Sequence, residues 1–267
     1  MGGSGQDLAA GQCFFSTLLT KPVKKIYGIR PVMEALEAGQ PFEKIFLRKG
    51  MQGEAFRALF SLVRAQGVPY QFVPQEKLNR ISSGNHQGVI ALLSLLEYQK
   101  VENILPTLYE QGETPFFIVL DRITDVRNLG AIARTAEAAG CHAMIIPSRN
   151  SALVNADAIK TSSGALMHLP VCREENLQAS LRYLKDAGLT LIAATEKGNE
   201  RFDEPDMNSP LAIIMGSEEK GIDPQMLRLA DHLVSIPMQG KVESLNVSVA
   251  AGILIYEVVR QRGKDKG

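Results

Sequence analysis

Cysteine is scarce in this 267-residue chain: Cys13, Cys141 and Cys172 are far apart and odd in number. That layout excludes a disulfide framework and a C-x-x-C pair, and it favours a reducing cytoplasm. Net charge is also missing, since 29 basic residues balance 29 acidic ones, so a nucleic-acid partner has to be met by a local basic patch. No apolar run is long enough to span a bilayer, which argues against a membrane partner. The four histidines are scattered and form no H-E-x-x-H pair, so no metal is expected. No G-x-G-x-x-G follows a predicted strand. Gly216 and Gly221 have the spacing of a phosphate-binding loop, but Ile222 stands where its lysine belongs. The S-L-N at Ser244 has no convincing S-x-x-K partner for acyl transfer.

The apolar patch Phe14–Leu19 precedes the basic residues, the reverse of a secretory signal, and residues 1–22 are read as a flexible extension. From residue 23 to 98 helices and strands alternate. RPVMEALEAG and GEAFRALFSLVRAQG predict helices ended by Gly39 and Gly67, and EKIFLR, YQFVP and GVIALLSLL predict strands, which together indicate a small α/β domain. Residues 99–114 are polar, carry one short helical pattern and are read as a linker. From 115 to 267 a second alternating series follows. FFIVL, AMII, LTLIAAT, LAIIM and HLVSIP predict buried strands; Leu129–Ala139, residues 154–166, ENLQASLRYLKDAG and the segment from Val247 predict helices. Runs this apolar imply a parallel sheet covered on both faces, whose ligands sit beyond the carboxyl ends of the strands.

Three loops leave those ends: DRITDVRNLG after FFIVL, GSEEKGI after LAIIM, and MQGKVESLN after HLVSIP. The last brings Glu243, Ser244 and Asn246 to the start of a long helix, where unpaired N–H groups offer a binding site. Ser244 or Asn246 capping that helix is the plain structural alternative.

NLGAIARTAEAAG, IIMGSEEKGI and IPMQGKVESLNVSVAAG, in this order and spacing, resemble the three motifs of the SpoU (TrmH-type) RNA ribose 2′-O-methyltransferases of the SPOUT superfamily. KIYGIRPVMEALE and NHQGV resemble the substrate-binding domain of the same family, specifically its 23S rRNA guanosine members. The resemblance runs from about Lys25 to Arg262. It implies a C-terminal SPOUT domain with a deep trefoil knot, which no periodicity would reveal and which runs against the general rule on threaded chains. It also implies a smaller N-terminal α/β substrate-binding domain resembling ribosomal protein L30e, a homodimer, S-adenosylmethionine as cofactor and RNA as substrate.

Carried over residue by residue, the resemblance implies catalytic roles for Asn128, Arg134, Glu218, Ser244 and Asn246. It implies cofactor contacts at Thr195, Gly216, Ile236, Met238, Leu245 and Asn246, and RNA contacts at Arg30, His86 and Gln87, with Lys24, Lys25, Lys44, Arg48 and Lys49 adding positive charge. Six of these have a plainer reading: core packing for Ile236 and Leu245, a helix cap for Asn128, a surface pair with Glu137 for Arg134, a solvated charge for Glu218 and a turn for His86. Because arginine does not lose its proton in proteins, Arg134 is read as a charge stabiliser and clamp, with the hydroxyl proton passing to Glu218, the RNA or water. Two rivals stand beside this function: a transfer-RNA 2′-O-methyltransferase, and a non-catalytic RNA-binding ribosome-assembly factor on the same fold.

Overall fold

The computed structural model describes residues 25–242 and 244–264; residues 1–24 (the expected extension and Lys24 among them), Glu243 and residues 265–267 lie outside the described residues. The chain divides into two compact units, one of residues up to Glu97 together with Val154–Ala156, the other Tyr98–Leu153 and Asp157 onward.

The first unit holds β1 (Lys25–Tyr27), α1 (Ile29–Glu37), β2 (Phe42–Arg48), α2 (Glu54–Ala65), β3 (Tyr70–Val73), α3 (Gln75–Ile81) and β4 (Val89–Leu93). Its sheet runs β1-β4-β2-β3, with β2 and β3 parallel and the other pairs antiparallel. Alternation along β2 and β4 makes two buried faces. Ile45, Leu47, Val89 and Ala91 pack with Val32, Leu36, Leu59 and Val63 of α1 and α2, while Phe46 and Ile90 pack with Val73 and Leu78 on the α3 side. The predicted helix ends are where the glycines put them: Gly39 and Gly67 are left-handed, at φ +67° and +63°.

The second unit holds α4 (Val101–Glu110), β5 (Phe116–Asp121), α5 (Val126–Ala138), β6 (Ala143–Pro147), α6 (Ala156–Thr161), β7 (Val171–Glu174), α7 (Leu177–Asp186), β8 (Thr190–Ala194), β9 (Glu200–Arg201), β10 (Leu211–Gly216), α8 (Pro224–Leu227), β11 (His232–Ser235) and α9 (Val247–Lys264). Seven strands form an entirely parallel sheet in the order β7-β6-β5-β10-β8-β11-β9. Two-sided burial explains the unbroken apolar runs of β5 and β10. On one face lie α4 and α7, through Leu105, Leu108, Leu181 and Leu184. On the other α9 packs on α5 and β10, with Ala251, Leu254, Ile255 and Val258 buried.

The stretch 99–114 is no free linker, because Val101, Leu105 and Leu108 of α4 belong to the core of the second unit. Helix continues over only part of 154–166: Ser163 and Gly164 adopt φ +51° and +87°, breaking α6 from a short 3₁₀ turn at Ala165–Met167. The end of α9 is tied down by Arg262, whose guanidinium donates to the carbonyls of Thr114, Pro115, Met207 and Ser209. No helix among the described residues is long and apolar enough to cross a membrane.

Candidate active site

Gly216, the last residue of β10, sits in register beside Asp121, the last of β5, so the loops after both strands leave the sheet side by side. In the first of them Asp125 caps α5, accepting from the Arg127 N–H at 2.7 Å, and this leaves the Asn128 side chain free for other partners. Asn128 Nδ2 donates to Glu218 Oε1 at 3.2 Å, and its Oδ1 accepts from Asn246 Nδ2 at 3.1 Å. Asn246 Nδ2 also donates to Glu218 Oε1 at 2.7 Å, and the Val247 N–H donates to the same oxygen at 3.2 Å. One carboxylate oxygen thus joins all three loops and the positive end of α9, where an anion is favoured. Asn246 is the cap of α9 as well: its Oδ1 accepts from the Ser248 N–H at 2.9 Å. One side chain fills both roles, its Oδ1 capping the helix and its Nδ2 joining the site.

A further device, unsuspected from the sequence, holds the Gly216–Ile222 loop. Asp121 is buried and receives Arg122 bidentately, Nε to Oδ1 at 3.0 Å and a terminal nitrogen to Oδ2 at 2.9 Å. That Oδ2 also accepts from the Asp223 N–H at 2.8 Å, and Arg122 reaches the Gly221 carbonyl at 3.2 Å. Arg122 adopts φ +58°, a left-handed conformation few bulky residues take, so the turn after β5 is shaped around this ion pair. A lone D-R pair beside a strand looks like an ordinary surface pair; only its partners about a hundred residues on reveal the role.

Gly216 is required by close packing. A Cβ there would lie 2.2 Å from the Gly221 carbonyl carbon and 2.3 Å from Ile222 N. Gly198, not anticipated, is similar: its Cβ would lie 2.5 Å from the carbonyl carbon of Val234, pressing the loop after β8 against β11. Thr195 lies at that junction, its N–H donating to the Val234 carbonyl at 2.9 Å. Ile236 and Leu245 are half-buried and Met238 is 38% exposed, so none of the three is fully absorbed by the core. This leaves apolar surface on the loop after β11, the chemistry an adenine ring needs.

Arg134 is exposed on α5 and makes no ion pair with Glu137 or any other described residue; it is not hydrogen-bonded to the Asn128–Glu218–Asn246 set. Ser244 is exposed on the loop into α9. Cys141 and Cys172 are buried, and burial pushes both thiols up to about 12, which removes them as nucleophiles near neutral pH. No His/Cys/Asp/Glu cluster fit to hold a metal occurs among the described residues.

In the first unit, Arg30 and Gln87 come to one end of the sheet. The Gly28 N–H donates to the Val89 carbonyl, and a Cβ on Gly28 would lie 3.5 Å from Gln87 Oε1. Arg48 and Lys49 are exposed at the same end, where the Arg48 N–H donates to the Gly88 carbonyl. His86, expected from the sequence as an RNA contact or as a turn residue, is buried. It is only 6% exposed, its Nδ1 accepts from the Gly88 N–H at 3.0 Å, and its Nε2 meets Asn79 Oδ1 at 3.0 Å. Those partners fix the Nε2–H tautomer and use both nitrogens, so His86 shapes the turn that presents Gln87, itself at φ +50°. Lys44 lies mid-strand, 5.7 Å from the Phe46 ring centroid, and Lys25 donates to the Ile81 carbonyl; neither joins this basic end.

Residues 115–256 match the family described as the SpoU rRNA Methylase family, and residues 25–99 match RNA 2′-O ribose methyltransferase substrate binding. The chain is 40% identical over 241 residues to the 23S rRNA (guanosine-2′-O-)-methyltransferase RlmB of Yersinia pestis, covering 89% of this chain and 97% of that protein. It is 39% identical over 240 residues to RlmB of Escherichia coli (strain K12), covering 89% and 98%. Among solved structures it resembles the SpoU methyltransferase AviRb from Streptomyces viridochromogenes in complex with AdoMet, with a TM-score of 0.57, 25% identity, and 96% and 99% of the two chains covered.

Proposed function

From the chain's membership of the SpoU rRNA methylase family, we infer that it methylates the ribose 2′-hydroxyl of a guanosine of 23S ribosomal RNA, using S-adenosylmethionine. The observation that carries this reading is the single oxygen of Glu218, which gathers Asn128, Asn246 and the α9 N-terminus from three separate loops at the carboxyl edge of the sheet.

The residues present fit the cofactor: Thr195, Gly216, Ile236, Met238, Leu245 and Asn246 lie on the loops after β8, β10 and β11, where partly uncovered apolar side chains meet backbone polar groups. When bound, S-adenosylmethionine supplies an electrophilic methyl group on a sulfonium. The chain supplies position and charge. Asn128, Glu218 and Asn246 lock the loops, and Ser244 offers an exposed hydroxyl to orient the ribose. Arg134 keeps its proton and stabilises the negative charge that grows on the ribose oxygen. Glu218 Oε1 is committed to three donors, so Glu218 is an anchor, and the hydroxyl proton leaves to water or to the RNA.

The active form in this reading is a homodimer in the cytoplasm that needs no metal. Val249, Tyr256 and Val259 of α9 are 51%, 52% and 37% exposed, and Val249, Ile253 and Tyr256 fall at helical spacing on α9, whose Gly252 lies against Thr135 of α5. Two-fold pairing on that face sets Arg134 at the edge of the interface, which accounts for its lack of a partner among the described residues. The close approach of the loop after β8 to β11 at Gly198 supports the threaded, knotted course expected of this fold. In the N-terminal unit, Arg30, Arg48, Lys49 and Gln87 form the local basic patch that a chain of zero net charge needs to hold RNA.

Tritiated-methyl transfer from S-adenosylmethionine to unmodified ribosomal RNA tests the reading. Label entering ribosomal RNA with the wild-type chain is expected; cofactor binding without transfer to any RNA would leave a non-catalytic assembly factor, and label confined to transfer RNA would move the substrate.

A further inference from the structure

The N-terminal unit carries a surface that the loop-end patch does not use. Phe56 and Phe60, one turn apart on α2, lie stacked with centroids 5.9 Å apart, and Tyr70 and Phe72 of β3 close on Phe60 at 5.1 and 5.6 Å. Among the described residues β3 pairs only with β2, so these rings stand at a sheet edge. Core packing accounts for the inner sides of Phe56, Phe60 and Tyr70. It does not account for Phe72, which is 39% exposed, nor for the groove on α2 lined by Phe56, Arg57, Phe60, Ser61, Arg64 and Ala65. Neither guanidinium in that groove has a hydrogen-bond or ion-pair partner among the described residues, and no carboxylate lines it.

We propose that this edge of α2 and β3 is a stacking platform for a single-stranded segment of the substrate RNA, a second contact surface that extends the basic loop end. The proposal rests on the chain's reading as an RNA methyltransferase. An apolar protein segment laid on the rings would bury two unpaired guanidiniums at a cost. Single-stranded RNA satisfies both features, bases meeting the aromatic faces and phosphates meeting Arg57 and Arg64. The surface is also continuous with the loop end. Helix α2 begins just after Arg48 and Lys49, and Phe72 precedes Val73, whose carbonyl accepts from the Lys49 N–H at 2.9 Å.

The chain contains no tryptophan, so Phe72→Trp installs a single indole on the platform. Titration with a ribosomal RNA fragment that the wild-type chain methylates should quench its emission. Arg57→Gln with Arg64→Gln should weaken RNA binding about tenfold, shrink the slope of log affinity against log salt by about 1.4, and raise KM for RNA with kcat retained at saturation. An unquenched indole, together with unchanged affinity and salt slope in the double variant, overturns the proposal. So does quenching that appears with protein concentration in the absence of RNA, which would make the face a contact between copies. A wild-type chain that neither binds nor methylates the RNA defeats the functional reading itself, a result distinct from the other two.

Discussion

Asn246 donates to Asn128 across 118 residues of sequence, Nδ2 to Oδ1 at 3.1 Å, and both donate to the same oxygen of Glu218. Side chains in one network do not contribute independently. The variants Asn128→Ala and Asn246→Ala are therefore expected to be non-additive in chemical denaturation, with a coupling of about 0.5–1 kcal/mol beyond the roughly 1 kcal/mol cost of losing the α9 cap. Strict additivity would mean that the contact carries no energy.

Glu218 separates anchoring from proton transfer. In Glu218→Gln the amide oxygen can still accept from Asn128, Asn246 and Val247, so turnover should fall no more than about tenfold, while Glu218→Ala should lose at least a hundredfold. A glutamine variant as inactive as the alanine variant would reassign Glu218 as the proton acceptor.

Gly216→Ala places a methyl group against the Gly221–Ile222 backbone, whose nearest atom lies 2.2 Å from the new Cβ. Backbone cannot yield as a flexible side chain does, so the loop must move. We expect a stability loss of about 1–3 kcal/mol and cofactor affinity lowered at least tenfold in calorimetry. Wild-type affinity for S-adenosylmethionine in this variant would remove the loop from the cofactor site.

Arg134→Ala should leave cofactor binding intact and abolish most methyl transfer, and Arg134→Lys should restore only part of it, because the charge returns without the planar fork. Near-wild-type turnover of the alanine variant would exclude Arg134 from the mechanism.

The buried thiols give a pH signature. Burial holds Cys141 and Cys172 protonated up to about 12 in the folded chain, whereas exposed thiols ionise near 8.5. Above about pH 9 the unfolded state binds fewer protons than the folded one, so this contribution to stability is full at neutral pH and is lost as pH rises toward 12. A Cys13→Ser chain should show no reactive thiol at pH 8 until unfolded; prompt reaction of the folded protein would contradict the burial.

The strands and the long helices were legible because burial on two faces writes continuous apolar runs, as in FFIVL and LAIIM, and left-handed glycines punctuate helices, as at Gly39 and Gly140. Short or polar elements left weaker marks. The helix α3 has one buried residue, Leu78, β9 has two residues, and β7 is four residues long, so none shows a period. At the site, the motif order and spacing pointed to Asn128, Glu218 and Asn246. The Asp121–Arg122 clamp and the crossing at Gly198 stayed hidden because their meaning lies in long-range backbone partners. The burial of His86 stayed hidden for the same reason: it is set by Asn79 and Gly88, which composition does not reveal.

The most direct test is to incubate the wild-type chain with unmodified 23S ribosomal RNA and labelled S-adenosylmethionine, digest the product, and locate the label by mass spectrometry. One labelled nucleoside is expected, a 2′-O-methylguanosine. Label on a base, or no labelled ribose in any RNA offered, would contradict it.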